Sequence, residues 1–535
     1  MGDWNFADVY EAIAERVPDA PCQVQGDRVV SWADFDRRAD ALAADLLEAG
    51  LGRQAKVGAY LYNCAEYLET YMAAFKAGLA PFNTNYRYGP DEISYLFDNA
   101  DAEAIVFHAS FAPLIEKVRD GLPRIRRWYV VADGEPAPAW AVPYDDVVAG
   151  RHDRTLAPWG RSGDDLVLLY TGGTTGMPKG VMWRQDDLFM VLGGGGNAVL
   201  GMPPAADLAE LASRVQGPGA AMLPACPLMH GTGQFSSFIA MNTGGSIVLL
   251  EGRSFDPAAL WSTAAARQVT AIVIVGDAFA KPLLAELDAH PGAYDLSSVR
   301  LMSSSGVMWS RETKEGLLRH LPGVILFDSF GSSEAVGMGG STSAAGAAVE
   351  TATFQLGERV RVFTEDGRAV NPGSDEVGMV AVGGYLPVGY YKDEEKSERT
   401  FRTIEGQRWS IPGDYARVNE DGTLQLLGRG TVCINTGGEK VFPEEVEEVI
   451  KRYPGVSDAV CVGLPDERFG EVICALVEPV PGGRVDDTAL IEHVRSHLAR
   501  YKAPRRVVVV DTIGRSPAGK VDFRGLRDLA LTRVG

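Results

Sequence analysis

No apolar run in this chain approaches the ~18–20 residues that a membrane-spanning helix needs, so an integral membrane segment is not expected. An export signature is also missing. The first twenty residues, MGDWNFADVYEAIAERVPDA, carry early acids and no apolar core, which predicts a cytoplasmic protein. Cysteine is scarce and scattered: Cys22, Cys64, Cys226, Cys433, Cys461 and Cys474 form no Cys-x-x-Cys pair and have no His at zinc spacing. That usage fits a reducing compartment and argues against a disulfide framework. Positive charge is in deficit, with 51 basic against 71 acidic residues and a net charge of −20, the opposite of a nucleic-acid binder's footprint. There is no internal repeat and no low-complexity tract.

What is present is an ordinary folded composition, 46% hydrophobic and 23% charged, over 535 residues. That length corresponds to roughly two to four structural units. The acidity is uneven: residues 429–535 hold 16 basic and 16 acidic side chains, so the whole excess lies on residues 1–428. This predicts a large acidic body, 1–428, and a small neutral module, 429–535. The first 160 residues alternate helical and strand patterns. Ser31-Trp32-Ala33-Asp34 opens a helix ending near Gly50, and Val57–Tyr62 is a strand. Leu68, Tyr71, Met72 and Phe75 form one apolar helix face closed by Gly78. A helix over Asp91–Asp98, a buried strand Ala104–His108, a helix Phe111–Gly121 and a strand Trp128–Ala132 follow. Repeated βα alternation predicts an α/β fold of mostly parallel, helix-covered sheets. The stretch Gly193–Gly196 with Pro203-Pro204 is a loop. From about Val377 the strands shorten. The tail is predicted as a helix opened by Pro443 (Glu444–Arg452), strands Ala459–Val462 and Val472–Val477, and a helix Asp487–Arg500.

The sharpest chemical feature is Tyr170 to Gly180, YTGGTTGMPKG, which follows the apolar run Leu166–Leu169. Gly172, Gly173 and Gly176 let backbone N–H groups approach a ligand; Thr171, Thr174 and Thr175 add hydroxyls, and Lys179 a positive charge. Together they suit a polyphosphate. A Walker A loop is excluded, because Lys179 lies between Pro178 and Gly180 rather than between Gly and Ser or Thr.

With that element on the page, the chain resembles the adenylate-forming superfamily of acyl-CoA synthetases, firefly luciferases and peptide-synthetase adenylation domains. The family's phosphate loop is similar to Tyr170–Gly180 nearly residue for residue, and further elements follow in order. Phe330-Gly331-Ser332-Ser333-Glu334 resembles Tyr-Gly-x-Thr-Glu, Ile411-Pro412-Gly413-Asp414 resembles the Thr-Gly-Asp element, and Leu427-Gly428-Arg429 resembles the hinge. Gly437–Glu447 and Arg515–Lys520 complete the pattern, which covers essentially the whole chain. The resemblance implies a β-barrel-like subdomain within residues 1–428 and a mobile α+β lid over 429–535 that carries the catalytic lysine.

It also implies ATP-dependent activation of a carboxylic acid to an acyl-adenylate, then transfer to CoA, with ATP, Mg²⁺ and CoA bound. A carboxylate must meet the α-phosphate, so the site has to supply positive charge and fixed donors. On this resemblance Lys520, Glu334 and Thr175 are the catalytic residues, and Glu334 is the Mg²⁺ ligand. Phe330 stacks on adenine, Asp414 grips the ribose, and Arg429 holds ribose or phosphate. Ser305, Gly306, Asp328, Gly331 and Ser333 complete the nucleotide contacts, with Gly437 and Gly438 lining the pantetheine tunnel. Ser333 for Thr keeps the hydroxyl, and Phe330 for Tyr keeps the ring. Two residues after Arg429, where many members carry Asp or Lys, this chain has Thr431.

The acyl pocket is expected from His230, Gly231 and Thr232, from Gly276, Asp277 and Ala278, and from Ser304. Their small side chains leave volume for a bulky ligand. The segments LYTGGTTGMPKGVMWR, GDA and GRGTVCINTGGEKVFPEEVE resemble the actinobacterial branch that activates steroid side-chain acids, with diterpenoid carboxylates a related expectation. Alternatives that stay open are a fatty acid–CoA ligase and an adenylation-only enzyme that hands its acyl group to a carrier protein or partner ligase. A nucleotide sensor without turnover is disfavoured by the presence of both Lys520 and Glu334. The oligomeric state is open, a homodimer included.

Overall fold

The computed structural model describes residues 3–150, 153–173, 176–197, 201–307, 309–347, 353–429, 434–436, 439–466, 469–498, 500–515 and 521–534. The chain forms two compact units. One comprises residues 1–351 with 383–410, the other 352–382 with 411–535.

The first unit is built on two eight-stranded sheets. In one, the strands Ile325–Phe330, Leu301–Ser305, Ala271–Ile274, Ala221–Pro224, Ser246–Leu249 and Pro21–Gln25 run parallel in that order. Antiparallel neighbours, Gly339–Ser343 and Arg28–Ser31, close its two edges. In the other, Leu166–Gly173, Ala80–Asn83, Lys56–Tyr60, Ala102–His108, Arg127–Val131 and Val142–Pro143 are parallel, and Gly176–Arg184 and Gly389–Tyr390 add on antiparallel.

Local chemistry explains most element boundaries. Ser31 Oγ accepts from Asp34 N at 3.0 Å and opens the helix Trp32–Glu48, as expected from the sequence. The helix Ala65–Lys76 differs from its expectation. Its periodic face suggests one apolar stripe, yet every residue of it is buried, because it packs into the cluster that joins both sheets (Val24 and Ile272 from one, Val57 and Val167 from the other). Its buried charges are paired: Glu69 accepts from Arg38 at 2.8 Å and from the Tyr144 hydroxyl at 2.8 Å. The expected helix Phe111–Gly121 breaks into short turns, Ala109–Phe111, Ala112–Ile115 and Arg119–Gly121. After Ile115 the run Glu116, Lys117, Arg119, Asp120 offers little apolar surface to hold further helical turns.

His108 closes the strand Ala102–His108 in a buried position, with Nδ1 accepting from Tyr62 N at 3.1 Å. Burial pushes its pKa down to about 4, and Arg253 adds to the shift while Asp133 and Glu66 oppose it. The lowered value means the unfolded chain binds a proton that the folded chain refuses between pH ~6.5 and ~4. Stability is therefore complete above the unfolded value and declines as pH falls through that window, by roughly 3 kcal/mol in all. Urea titrations from pH 7 to pH 4 should show this decline, and His108→Phe should remove that component; an unchanged slope in the variant contradicts the assignment.

In the second unit, Asp414–Val418 pairs antiparallel with both Gly378–Val382 and Leu424–Arg429, and these are flanked by Val360–Phe363 and Thr353–Phe354. A further sheet holds Val456–Asp466 and Gly470–Pro479, with Arg506–Val509 parallel to the latter. Both long strands outrun their expected spans because the sheet is covered on both faces. Ala459, Cys461, Ile473 and Ala475 pack with Val446, Ile450 and Leu490 on one side. Val460, Val462, Leu464 and Leu476 pack with Leu526 and Ala530 on the other. Pro443 opens the helix Pro443–Lys451 as expected. Gly428 has φ +123°, and a Cβ there would run into the Glu444 carboxylate, so this position requires glycine.

Candidate active site

Four segments singled out in the sequence leave the carboxyl ends of four adjacent parallel strands. Residues 230–232 follow Ala221–Pro224, residues 276–278 follow Ala271–Ile274, Ser304 and Ser305 end Leu301–Ser305, and Phe330 ends Ile325–Phe330. In open α/β sheets the ligand crevice lies at those ends. Register puts Ser304 beside Asp328 and Ser305 beside Ser329. A Cβ on Gly306, whose φ is +93°, would be in ordinary van der Waals contact with Thr232 Oγ1 and Val275 Cγ1, both at 3.8 Å, so the first and third of these segments converge.

Several of these side chains are also occupied in building the crevice. Ser304 Oγ accepts from Gly276 N at 2.8 Å and fixes the turn into the helix Gly276–Ala289. Asp277 Oδ1 accepts from Ser310 N at 3.0 Å and from Ser310 Oγ at 3.1 Å. Asp328 is buried 3.0 Å from the Lys314 ammonium; burial raises its pKa, and Lys314 only partly offsets that. His230 is the N-cap residue of the helix Gly231–Met241.

The element Tyr170–Gly180 lies on a pair of antiparallel strands. Leu166–Gly173 and Gly176–Arg184 pair with Tyr170 opposite Gly180, Thr171 opposite Lys179 and Gly173 opposite Gly176. Directly opposed residues share one face of a sheet, so Thr171 and Lys179 project to the same side. Thr174 and Thr175 lie outside the described residues, as do Thr431, Gly437, Gly438 and Lys520. The Tyr170 ring lies over Gly180, where a Cβ would come within 2.8 Å of it.

Two side-chain contacts, of Trp183 and of Lys179, tie this hairpin to the rest of the crevice. Trp183 Nε1–H donates to Ser333 O at 3.0 Å. Ser332 and Ala335 exchange backbone hydrogen bonds at 2.9 and 3.2 Å, a tight turn that presents Ser333 and Glu334. Lys179 pairs with Asp393, whose pKa is held below the usual carboxylate range chiefly by that hydrogen bond. Glu334 Oε1 accepts from the Tyr390 hydroxyl at 2.7 Å. Oε2 accepts no hydrogen bond among the described residues. An ionised carboxylate with one oxygen held and the other uncommitted fits a hard cation that arrives with a nucleotide and needs only one or two protein oxygens. No group of three or more metal-ligating side chains occurs among the described residues.

Asn83, Trp183, Tyr390 and Asp393 were not found from sequence. Asn83 is 2% exposed. Its carboxamide accepts from Tyr170 N at 2.7 Å and donates to Tyr170 O at 2.8 Å and to Met229 O at 2.6 Å. Strand pairing between Ala80–Asn83 and Leu166–Gly173 is recorded at Phe82 opposite Leu168. Beyond it, this one side chain couples the start of the phosphate hairpin to the residue before His230. The available signal was a lone amide closing the apolar strand Ala-Pro-Phe-Asn. Asn83→Ala strands three backbone groups and should cost about 2–4 kcal/mol of stability. It should also raise KM for ATP and for the acid together, as steady-state kinetics would read; unchanged KM values beside a lower unfolding midpoint would make the bridge purely architectural.

In the second unit, register sets Asp414 directly opposite Arg429. Asp414 is buried. The two residues expected to hold the ribose thus share one rung of an antiparallel pair.

Comparison with known proteins gives a consistent result. The AMP-binding enzyme profile matches residues 10–391, and the AMP-binding enzyme C-terminal domain profile matches residues 445–520. The chain is 40% identical over 535 residues to a medium/long-chain-fatty-acid–CoA/3-oxocholest-4-en-26-oate–CoA ligase of Mycobacterium marinum, covering 98% of this chain and 96% of that one. It is 41% identical to a 3-oxocholest-4-en-26-oate–CoA ligase of Rhodococcus rhodochrous, covering 98% and 95%. A crystal structure of an anthranilate CoA ligase in complex with anthranoyl-AMP superposes with a TM-score of 0.84 at 22% identity, over 100% of this chain and 98% of that one. No described helix is long and apolar enough to cross a membrane.

Proposed function

The chain belongs to the AMP-binding enzyme family and is an AMP-forming acid–CoA ligase acting on a carboxylic acid, ATP and CoA; from that premise we propose that its acid is bulky and apolar, a steroid side-chain carboxylate first and a diterpenoid carboxylate next. The observation that carries this reading is the set of small residues, Gly231, Thr232, Gly276, Ala278 and Ser304, at the carboxyl ends of adjacent strands. Relatives at about 40% identity named for 3-oxocholest-4-en-26-oate support it.

In this reading the hairpin face bearing Thr171 and Lys179 binds the phosphates, and Glu334 holds Mg²⁺, which supplies charge neutralisation on the triphosphate when bound. Asp414 and Arg429 take the ribose, and Phe330 lies against adenine. Thr174, Thr175, Gly172, Gly173 and Gly176 complete the cradle. Lys520 neutralises the meeting of carboxylate and α-phosphate. Residues 429–535 turn about Gly428–Arg429 after the first step, so that Gly437 and Gly438 admit the pantetheine arm while water stays excluded from the mixed anhydride.

The test is hydroxamate-trapped adenylation across aliphatic, aryl, steroid and diterpenoid acids, repeated with CoA in place of hydroxylamine. The expected result is the highest kcat/KM for a polycyclic acid. A medium- or long-chain fatty acid at the top would replace this reading with the one that the Mycobacterium marinum relative's double name also supports. Adenylate without thioester would favour a carrier protein as acceptor.

A further inference from the structure

One short segment, outside every motif recognised in the sequence, grips two of the charged groups assigned to the triphosphate. Gly389–Tyr390 pairs antiparallel with the phosphate hairpin, Gly389 opposite Met182 and Tyr390 opposite Val181. Tyr391 N donates to Gly180 O at 2.8 Å. This docking carries the Tyr390 hydroxyl to 2.7 Å from Glu334 Oε1 and sets the Asp393 carboxylate on the Lys179 ammonium.

The segment is itself well held. Ser397 Oγ accepts from Tyr390 N at 2.8 Å and donates to Asp393 O at 2.7 Å. Asp393 Oδ1 accepts from Lys396 N at 3.0 Å, capping the helix Glu394–Thr400. The Lys396 ammonium lies 4.1 Å from the Tyr390 ring centroid, and the Tyr391 hydroxyl donates to Asp101 at 2.8 Å. A support fixed by this many contacts can fix what it touches.

We propose that Tyr390 and Asp393 are positioning residues for the metal–triphosphate site, Tyr390 by orienting the Glu334 carboxylate and Asp393 by orienting the Lys179 ammonium. The proposal rests on the roles of Glu334 and Lys179 given above and adds the residues that aim them. A phenol donating to one carboxylate oxygen stops the group rotating and leaves the other oxygen for the cation; such partners of a metal ligand tune affinity as much as many ligands do. An ammonium has three N–H donors. With one on Asp393, two remain for phosphate oxygens, and their directions are set before the nucleotide arrives.

The test reads metal binding without turnover. Mn²⁺ is titrated by electron paramagnetic resonance into the full-length protein saturated with a non-hydrolysable ATP analogue. Tyr390→Phe keeps the ring and its packing against Phe401 and Lys396, and should weaken Mn²⁺ binding about 10-fold. The Mg²⁺ concentration for half-maximal adenylation should rise in step, with kcat at saturating metal nearly unchanged. Asp393→Asn keeps the helix cap, since Asn caps as well as Asp, and removes both the charge and the acceptor that face Lys179. It should raise KM for ATP about 2–5-fold, the range of a part-exposed ion pair, and leave Mn²⁺ affinity unchanged.

Glu334→Gln is the reference variant. If it leaves Mn²⁺ affinity intact, Glu334 is not a metal ligand, and the underlying reading falls together with the Tyr390 role. If it weakens Mn²⁺ while Tyr390→Phe does not, only the positioning role is overturned. A lower melting temperature for Tyr390→Phe at unchanged Mn²⁺ affinity overturns it as well, by showing a merely structural contact. A fall in KM for ATP in Asp393→Asn would make Asp393 a competitor of the triphosphate and overturn its half of the proposal.

Discussion

Replacing Lys520 by alanine is expected to cut acyl-adenylate formation at least ~10²-fold, the size of losing one oriented stabilising contact in a transition state. Thioester formation from supplied acyl-adenylate should stay largely intact. The charge balance at the phosphate hairpin motivates this prediction. There the Lys179 ammonium is already paired with the Asp393 carboxylate, and Glu334 adds a second carboxylate held by the Tyr390 hydroxyl. Two further anions, the acid and the α-phosphate, have to meet beside that arrangement, on a chain whose net charge is −20. A further positive charge beside the carboxylate would ease that encounter, and Lys520 in the Arg515–Lys520 element is the candidate that the resemblance supplies. The second step attacks a carbonyl and expels AMP, with no comparable encounter of two anions. Pyrophosphate release and single-turnover thioester formation, measured separately, decide the matter; equal loss of both steps contradicts the role.

Lys76→Met should lower the free energy of unfolding by about 3–5 kcal/mol, the cost of removing one partner from a buried ionic network. Lys76 ends the helix Ala65–Lys76 and is fully buried. Its Nζ lies 2.6 Å from Glu11, 2.7 Å from Asp36 and 2.9 Å from Asp40. Arg161 also binds Glu11, at 2.7 Å, and donates to Thr155 O, while Thr155 N and Oγ bind Asp40. Burial pushes the Glu11 carboxyl up, but Arg161 and Lys76 outweigh it and hold it below its ordinary value; at Asp40 burial prevails and the pKa is raised. The network locks the first three long helices and the segment around Arg161 into one body. Methionine fills the volume but leaves three carboxylates with one cation fewer. Urea unfolding at neutral pH would read the loss, and a change within ~1 kcal/mol would mean that water already reaches these groups.

Much of this protein was legible because its signals are local. The Ser31 cap, the helix opened by Pro443 and the buried strand ending at His108 each follow from a few neighbouring residues, and the structure places them within a residue or two of expectation. The phosphate element was legible as composition but not as shape. Whether Tyr170–Gly173 continues a strand depends on the return strand Gly176–Arg184 and on Gly389–Tyr390 beyond it. The tail strands were read too short for a similar reason: cover on both faces admits apolar residues at every position, and alternation fails as a guide.

By itself the sequence determined the chemical vocabulary: a Gly/Thr/Lys element suited to phosphate, a lone Glu after an aromatic-Gly pair, an Asp and an Arg that the resemblance assigns to a ribose, and the family. Those are properties of residue type and order, so no coordinates were needed. Only the tertiary structure decided which groups hold them in place. Asn83 reaches Tyr170 across 87 residues, and Tyr390 reaches Glu334 across 56. A hydrogen bond depends on distance and direction in space, and sequence spacing carries neither once the chain has crossed from one sheet strand to another.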